Sequence, residues 1–265
     1  MKITALSCCC VDFFPQEGKI YVGGNSLNFA TQCKLSGINN VSIIGGIGND
    51  KFGKLIEDHL DKLNINRFQL HKIEAVTASN KIFISDQGDR YFKKDSWNGG
   101  AFDSYRLSDS DWKFLEDSDI VAIPGGDPNL KNLLSRRNKS QLIVVDFLDY
   151  LGIDFIEKQI ENIDVVFLSG KKEMFDDLEI LSSNTGKMIV ATLGEQGSIA
   201  FYKNKTYEQK AIEVDEIIDT TGCGDSFQAA FSIEWVKSKD IKKALKSGSR
   251  AASKVLSFMG GVEQN

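Results

Sequence analysis

The run Asp219-Thr220-Thr221-Gly222-Cys223-Gly224-Asp225-Ser226-Phe227 leads directly into residues 228–236, where Ala229, Ala230, Phe231, Ile233, Trp235 and Val236 form an apolar helical stretch. Gly222 and Gly224 let a backbone approach a ligand closely. Unpaired N–H groups at a helix start, reinforced by the helix dipole, favour an anion there. A phosphate fits. Asp225 then stands beside the anion with a charge of the same sign, which is unfavourable unless the carboxylate has a task. In phosphoryl transfer that task is to take the proton of the attacking hydroxyl. A plainer account of the same residues is a glycine turn followed by an acid that complements the helix dipole.

Upstream, residues 3–7, 41–44, 120–123, 142–146, 165–168 and 188–192 are short, mostly β-branched apolar runs. Such runs suit strands buried on both faces of a parallel sheet. Helical stretches at 25–35, 52–63, 130–137 and 173–181 lie between several of them. The alternation predicts an α/β domain with helices packed on both sides of the sheet. Residues 19–22 and 81–92 depart from it: they read as strands with partial polar alternation, and Gln87-Gly88-Asp89 reads as a hairpin turn. Either they form an excursion on the domain edge or they form a small lid over a cleft.

Composition narrows the function classes. The chain has 265 residues, 42% hydrophobic and 26% charged, as ordinary globular proteins are. A net charge of −5, with no basic run longer than Arg136-Arg137, speaks against a nucleic-acid partner. No apolar stretch reaches the roughly 20 residues of a membrane span. The first ten residues read as strand without a cleavage pattern, so no membrane partner or signal peptide is expected. Cys8, Cys9 and Cys10 are consecutive and the total of five cysteines is odd, which fits a reducing, cytoplasmic setting better than a disulfide framework. With no C-x-x-C pair and only His59 and His71, the thiols read as small buried hydrophobes rather than zinc ligands. Gly48 to Lys54 imitates the start of a P-loop, but Leu55 stands where a magnesium-binding Ser or Thr is required, so Lys54 reads as the exposed face of a helix.

The string from Asp219 to Asp225 resembles the second signature of the ribokinase-like (PfkB) carbohydrate kinases, D-T-x-G-A-G-D, with Cys223 in place of the usual alanine. By that resemblance the backbone at Gly222, Cys223 and Gly224 forms an anion hole and Asp225 is the catalytic base. Gly23-Gly24-Asn25-Ser26-Leu27-Asn28-Phe29-Ala30 is similar to the family's sugar-binding G-G-x-x-x-N-x-A, and Asp12 follows the first strand where the family has an acid that grips sugar hydroxyls. Read without the family, Gly-Gly-Asn serves equally as a helix cap. The segment from Gly45 to Gly53 resembles G-x-D-x-x-G. Thr192-Leu193-Gly194-Glu195-Gln196-Gly197 resembles the T-L-G-x-x-G loop that borders the nucleotide, and Ser249, in a helix beyond the anion hole, is a further candidate for nucleotide contact. Glu173 matches the glutamate of N-x-x-E, linked to magnesium, although Gly170 replaces its asparagine.

The resemblance implies a three-layer α/β/α core with a mostly parallel sheet, in one domain over residues 1–265, with a small β lid from about 12–22 and 70–98. It implies ATP and Mg2+ as cofactors and a small-molecule sugar as substrate. Exposed lid strands make a homodimer through the lid a natural expectation. Within the family, Cys10-Val11-Asp12-Phe13-Phe14-Pro15-Gln16 and Gly23-Gly24-Asn25-Ser26-Leu27-Asn28 are similar to segments of bacterial fructoselysine 6-kinases. So are Thr192 to Ala200 and Ile218 to Phe227. This points to transfer of the γ-phosphate of ATP to the 6-hydroxyl of fructoselysine or a related fructosyl amino acid. Arg90 then faces a substrate carboxylate or is a solvated strand-end charge; Asp86 and Asp89 pose the same choice for a substrate amine. Ribose, fructose or a nucleoside are the alternative acceptors, and a non-catalytic sugar-binding regulator is the alternative class.

Overall fold

A computed structural model describes residues 1–85 and 90–262. In chain order, the first strands are β1 (Lys2–Leu6), β2 (Cys10–Phe14), β3 (Lys19–Gly23), β4 (Asn40–Gly48) and β5 (Asn66–Ile73). Four short ones follow: β6 (Ala78–Lys81), β7 (Phe83–Ile84), β8 (Arg90–Tyr91) and β9 (Trp97–Asn98). The rest are β10 (Ile120–Pro124), β11 (Leu142–Asp146), β12 (Val165–Ser169), β13 (Met188–Thr192), β14 (Ser198–Tyr202) and β15 (Lys205–Gln209). The helices are α1 (Asn25–Leu35), α2 (Lys51–Lys62), α3 (Gly100–Ser104), α4 (Asp109–Leu115) and α5 (Leu130–Arg136). They continue with α6 (Ile153–Glu157), α7 (Phe175–Thr185), α8 (Cys223–Ser238) and α9 (Ile241–Val255).

A nine-stranded sheet runs β15-β14-β13-β12-β11-β10-β1-β4-β5. It is parallel from β5 to β13, and β14 and β15 continue it antiparallel at one edge. Successive side chains of a strand face opposite layers. Val144 therefore enters one core, with Phe29 of α1, Leu60 of α2, Phe231 of α8 and Leu245 of α9. Ile143 and Val145 enter the other, with Leu115, Leu133, Ile156 and Leu178 from α4 to α7. This is the expected three-layer α/β/α arrangement, and it explains why the central strands are apolar on both faces.

The expected helix at 25–35 coincides with α1. Asp50 caps α2, accepting from the N–H groups of Phe52 and Gly53, and it also accepts from Thr77. Lys54 lies on the exposed face of α2 in an ion pair with Asp58, so no P-loop is formed. The helix expected at 173–181 begins later, at Phe175, and Glu173 sits in the preceding 3-10 turn.

A second, four-stranded sheet runs β3-β2-β6-β9, and β7 pairs with β8 in a two-stranded ribbon. The expected lid range is corrected at its start: residues 70–73 belong to β5 of the large sheet. The expected hairpin turn Gln87-Gly88-Asp89, with Asp86, lies outside the described residues, while its flanks are paired antiparallel, Phe83 with Tyr91 and Ile84 with Arg90.

Phe231 anchors α8 to the sheet: it is fully buried, edge-on to Phe167 of β12 and stacked on Phe227. Phe231→Ala is expected to lower stability by about 3–5 kcal/mol. Urea unfolding checks this; a loss below about 1 kcal/mol would mean that α8 is held by other contacts.

Candidate active site

Parallel sheets of this kind place ligands beyond the carboxyl ends of their strands. There α1 and α8 bring their N-termini together. Asn25 and Asn28, one turn apart on α1, share a face and both point at Asp225 in the first turn of α8. The Asn25 amide donates to Asp225 Oδ1 at 2.6 Å and the Asn28 amide to Oδ2 at 2.7 Å. Burial raises the pKa of Asp225, opposed by the Asn28 amide, the Arg90 charge and the Asn25 amide. The result is a buried carboxylate whose two oxygens are both aimed by side chains.

The turn before α8 is equally fixed. Asp219, fully buried, accepts from the N–H of Thr221 at 2.8 Å and its hydroxyl at 2.7 Å, and from the N–H of Gly260 at 2.8 Å. Gly222 caps α8 in the left-handed region at φ 79°, packed so closely on Gly261 that a Cβ would have no space. A Cβ on Gly224 would meet only open space. The N–H of Cys223, expected in the anion hole, turns back to the Thr220 carbonyl at 3.3 Å. Its thiol approaches the Ala252 carbonyl of α9 at 3.6 Å.

The small sheet supplies the facing side. Asp12 of β2 is buried, and a Cβ on Gly23 of the neighbouring β3 would overlap its carboxylate. Burial pushes the Asp12 carboxyl up to about 7, against the pull of Arg90 and the Cys10 thiol. Asn80 of β6 is register-paired with Asp12, and its buried side-chain oxygen has no partner among the described residues. The N–H of Arg90 in β8 bonds the hydroxyl of Thr220 at 3.4 Å, joining the ribbon to the turn before α8. Arg90 is the positive charge felt by Asp12, Asp146 and Asp225 alike. The chain thus gathers three buried carboxylates, two asparagine amides and one arginine around a helix N-terminus. Such a set can bind a polyol, accept a hydroxyl proton and meet an anion.

The pfkB family carbohydrate kinase pattern matches residues 14–264. The chain belongs to this family. It is a sugar kinase of ribokinase-like fold. It is 30% identical over 257 residues to fructoselysine 6-kinase of Escherichia coli, covering 95% of both chains. It is 28% identical to fructosamine kinase FrlD of Bacillus subtilis, covering 98% of this chain and 92% of that one. Among solved structures, ribokinase of Arabidopsis thaliana complexed with ribose and ATP superposes with a TM-score of 0.82 at 21% identity, over 98% of this chain and 93% of that one.

The remaining family positions lie farther along the same edge of the sheet. Thr192 closes β13, and Gly194 and Gly197 shape the turn after it, where the Leu193 N–H reaches the Gly197 carbonyl at 2.8 Å. Ser249 is on α9, which packs against α8. Glu173 follows β12 and is exposed. Among the described residues no three His, Cys, Asp or Glu side chains converge on a metal position. Magnesium keeps several waters and takes one or two carboxylates beside nucleotide phosphates, so a single exposed carboxylate at this edge fits it. No described helix is long and apolar enough to cross a membrane. All five cysteines carry free thiols, and Cys9, Cys10 and Cys33 are buried.

Sequence reasoning missed Asp146, Asn80, Gly260 and Gly261. Asp146 closes the apolar run 142–146 in the sequence, and the glycine pair belongs to no motif. The signal available was the polar residue closing an otherwise apolar β11, at the strand end where ligands gather.

The Asp12 carboxyl, at about 7 in the fold against an ordinary 3.8, binds its proton more tightly folded than unfolded. Its contribution to stability is therefore complete below about pH 4 and is lost as pH rises through about 7. The melting temperature of the wild type, minus that of Asp12→Asn, should fall over this window. A difference independent of pH would reject a buried, ionisable Asp12.

Proposed function

We propose that this sugar kinase transfers the γ-phosphate of ATP to the 6-hydroxyl of fructoselysine or a related fructosyl amino acid. The observation that carries the reading is the Asp225 carboxylate, buried at the start of α8 with an asparagine amide on each oxygen. In the proposed transfer Asp225 takes the proton of the 6-hydroxyl while that oxygen bonds to the γ-phosphorus. The bond from phosphorus to the bridging oxygen breaks, and ADP leaves with the electron pair. The amides at the start of α8, at Gly222, Cys223 and Gly224, receive the phosphoryl oxygens, and the helix dipole adds to their field.

Asp12, Gly23, Gly24, Asn25, Asn28 and Asn80 hold the sugar hydroxyls in this reading, and the Thr192–Gly197 turn with Ser249 borders the nucleotide. Glu173 would hold magnesium, directly or through water, and the ion would supply charge neutralisation on the phosphates. Arg90 is the charge available to the carboxylate of the amino-acid part. The choice of acceptor is supported by the 30% identity to a fructoselysine 6-kinase across nearly the whole of both chains.

The test is ADP release with ATP and magnesium against fructoselysine, other fructosyl amino acids, fructose, ribose and nucleosides. Preference for fructoselysine supports the proposal; preference for a plain sugar keeps the kinase and rejects the acceptor. Asp225→Asn should lower kcat by about 100- to 10,000-fold while calorimetry still shows ATP binding. Near-normal turnover would remove Asp225 as the base. Arg90→Ala should raise the KM for fructoselysine by about 10- to 100-fold and leave that for fructose unchanged. Equal effects on both acceptors would reject a carboxylate contact.

A further inference from the structure

Asp146 has no part in the transfer as described, yet it ends in the same network as the base. It closes β11 and is 7% exposed. Its Oδ1 accepts from the N–H of Leu148 at 2.9 Å, and its Oδ2 accepts from Asn25 Nδ2 at 2.9 Å. The same Nδ2 donates its other hydrogen to Asp225 Oδ1 at 2.6 Å. One amide nitrogen therefore forks between two carboxylates that approach from different elements, β11 and α8.

The chemistry of that fork fixes more than distance. An ionised carboxylate accepts only, and a carboxamide donates only from its nitrogen. With one carboxylate present, the Asn25 amide can turn while keeping a single bond. With two, only one orientation satisfies both, and the amide oxygen is kept away from each. Asp146 is too buried for water to replace it freely, and burial and the charge of Asp225 push its carboxyl up to about 7. A second acid this close to a general base is electrostatically unfavourable, so its presence calls for a gain elsewhere.

We infer that Asp146 is a positioning residue for Asp225: by accepting one Nδ2 hydrogen of Asn25, it aims the other hydrogen at the base. The inference rests on the reading of Asp225 as the base. A plainer role is also available, since Asp146 tethers its own loop through Leu148, whose φ is 59°. The two roles differ in what they do to Asn25. Asp146→Asn keeps the size of the side chain but presents an NH2 group to one of two donors, Asn25 or Leu148, and so breaks the fork or the tether.

The experiment is a double-mutant cycle with Asp146→Asn and Asn25→Ala, run with fructoselysine and ATP, beside Asp225→Asn as reference. Asp146→Asn alone is expected to lower kcat about tenfold, the loss of one hydrogen bond to a charged group, with the KM for ATP unchanged. In the Asn25→Ala background it should lower kcat less than about twofold further, because coupled residues do not add. Equal losses in both backgrounds, with a lower melting temperature, would make Asp146 a loop tether and overturn the inference. So would wild-type kcat in Asp146→Asn while Asp225→Asn is inactive. Full activity in Asp225→Asn would instead remove the base reading by itself. A second measurement needs no acceptor: NMR hydrogen exchange of the side-chain amides in the substrate-free protein. Both Asn25 Nδ2 protons should exchange slowly in the wild type and fast in Asp146→Asn, with Asn28 still protected. Unchanged Asn25 protection in that variant would also overturn the inference.

Discussion

A carboxyl group is held out of water between α1 and α8, and the architecture around it is arranged to make that tolerable. Burying a charge is expensive unless it is hydrogen-bonded. Asp225 meets the condition with one amide on each oxygen, both from α1. The two asparagines reach it because they are one turn apart on a single helix and because α1 and α8 lie on the same face of the large sheet. Registry between two helices thus sets the surroundings of one side chain. The small sheet enters the same account, since β3 runs directly into α1 and fixes where that helix starts.

Clearance matters as much as attraction. The missing side chain at Gly23 is the space that the Asp12 carboxylate occupies, and the missing one at Gly261 is the space that the Asn28 amide occupies. Gly222 and Gly261 lie backbone against backbone, so the turn before α8 rests on a segment far from it in sequence. These contacts turn glycines that look like loop punctuation into the walls of a polar site. Asp219 ties the same pieces together, bonding forward to Thr221 and across to Gly260.

The sequence made the parts built from local pattern legible. β1, β10, β11, β12 and β13 are unbroken apolar runs because both faces are covered, and α1 falls at its expected residues because Gly24 and Asn25 punctuate its start. β5 escaped notice because it is an edge strand: Asn66, Phe68, Leu70 and Lys72 share one face yet only Leu70 is buried, so no period dominates. Asp225 and its glycines were legible as a motif. The contacts that aim Asp225 were not, because they join residues far apart in the chain, such as Asn25 to Asp146 and Asn25 to Asp225. No window of sequence contains such a pair. Cys223 shows the converse limit, since its place in the motif did not reveal that its N–H is already engaged with Thr220.

The packing of Gly260 and Gly261 beneath the Asp219–Asp225 turn also bears on how the protein is made. The large sheet, α1 and the small sheet are all encoded ahead of α8, so a growing chain can form most of its core before the ribosome reaches Gly260. Until those two glycines emerge, Asp219 lacks one of its donors and Gly222 has nothing behind it. The site is therefore among the last parts of the molecule to be completed, and a chain broken off shortly before Gly260 would leave the turn before α8 without support and take the buried Val262 out of the core.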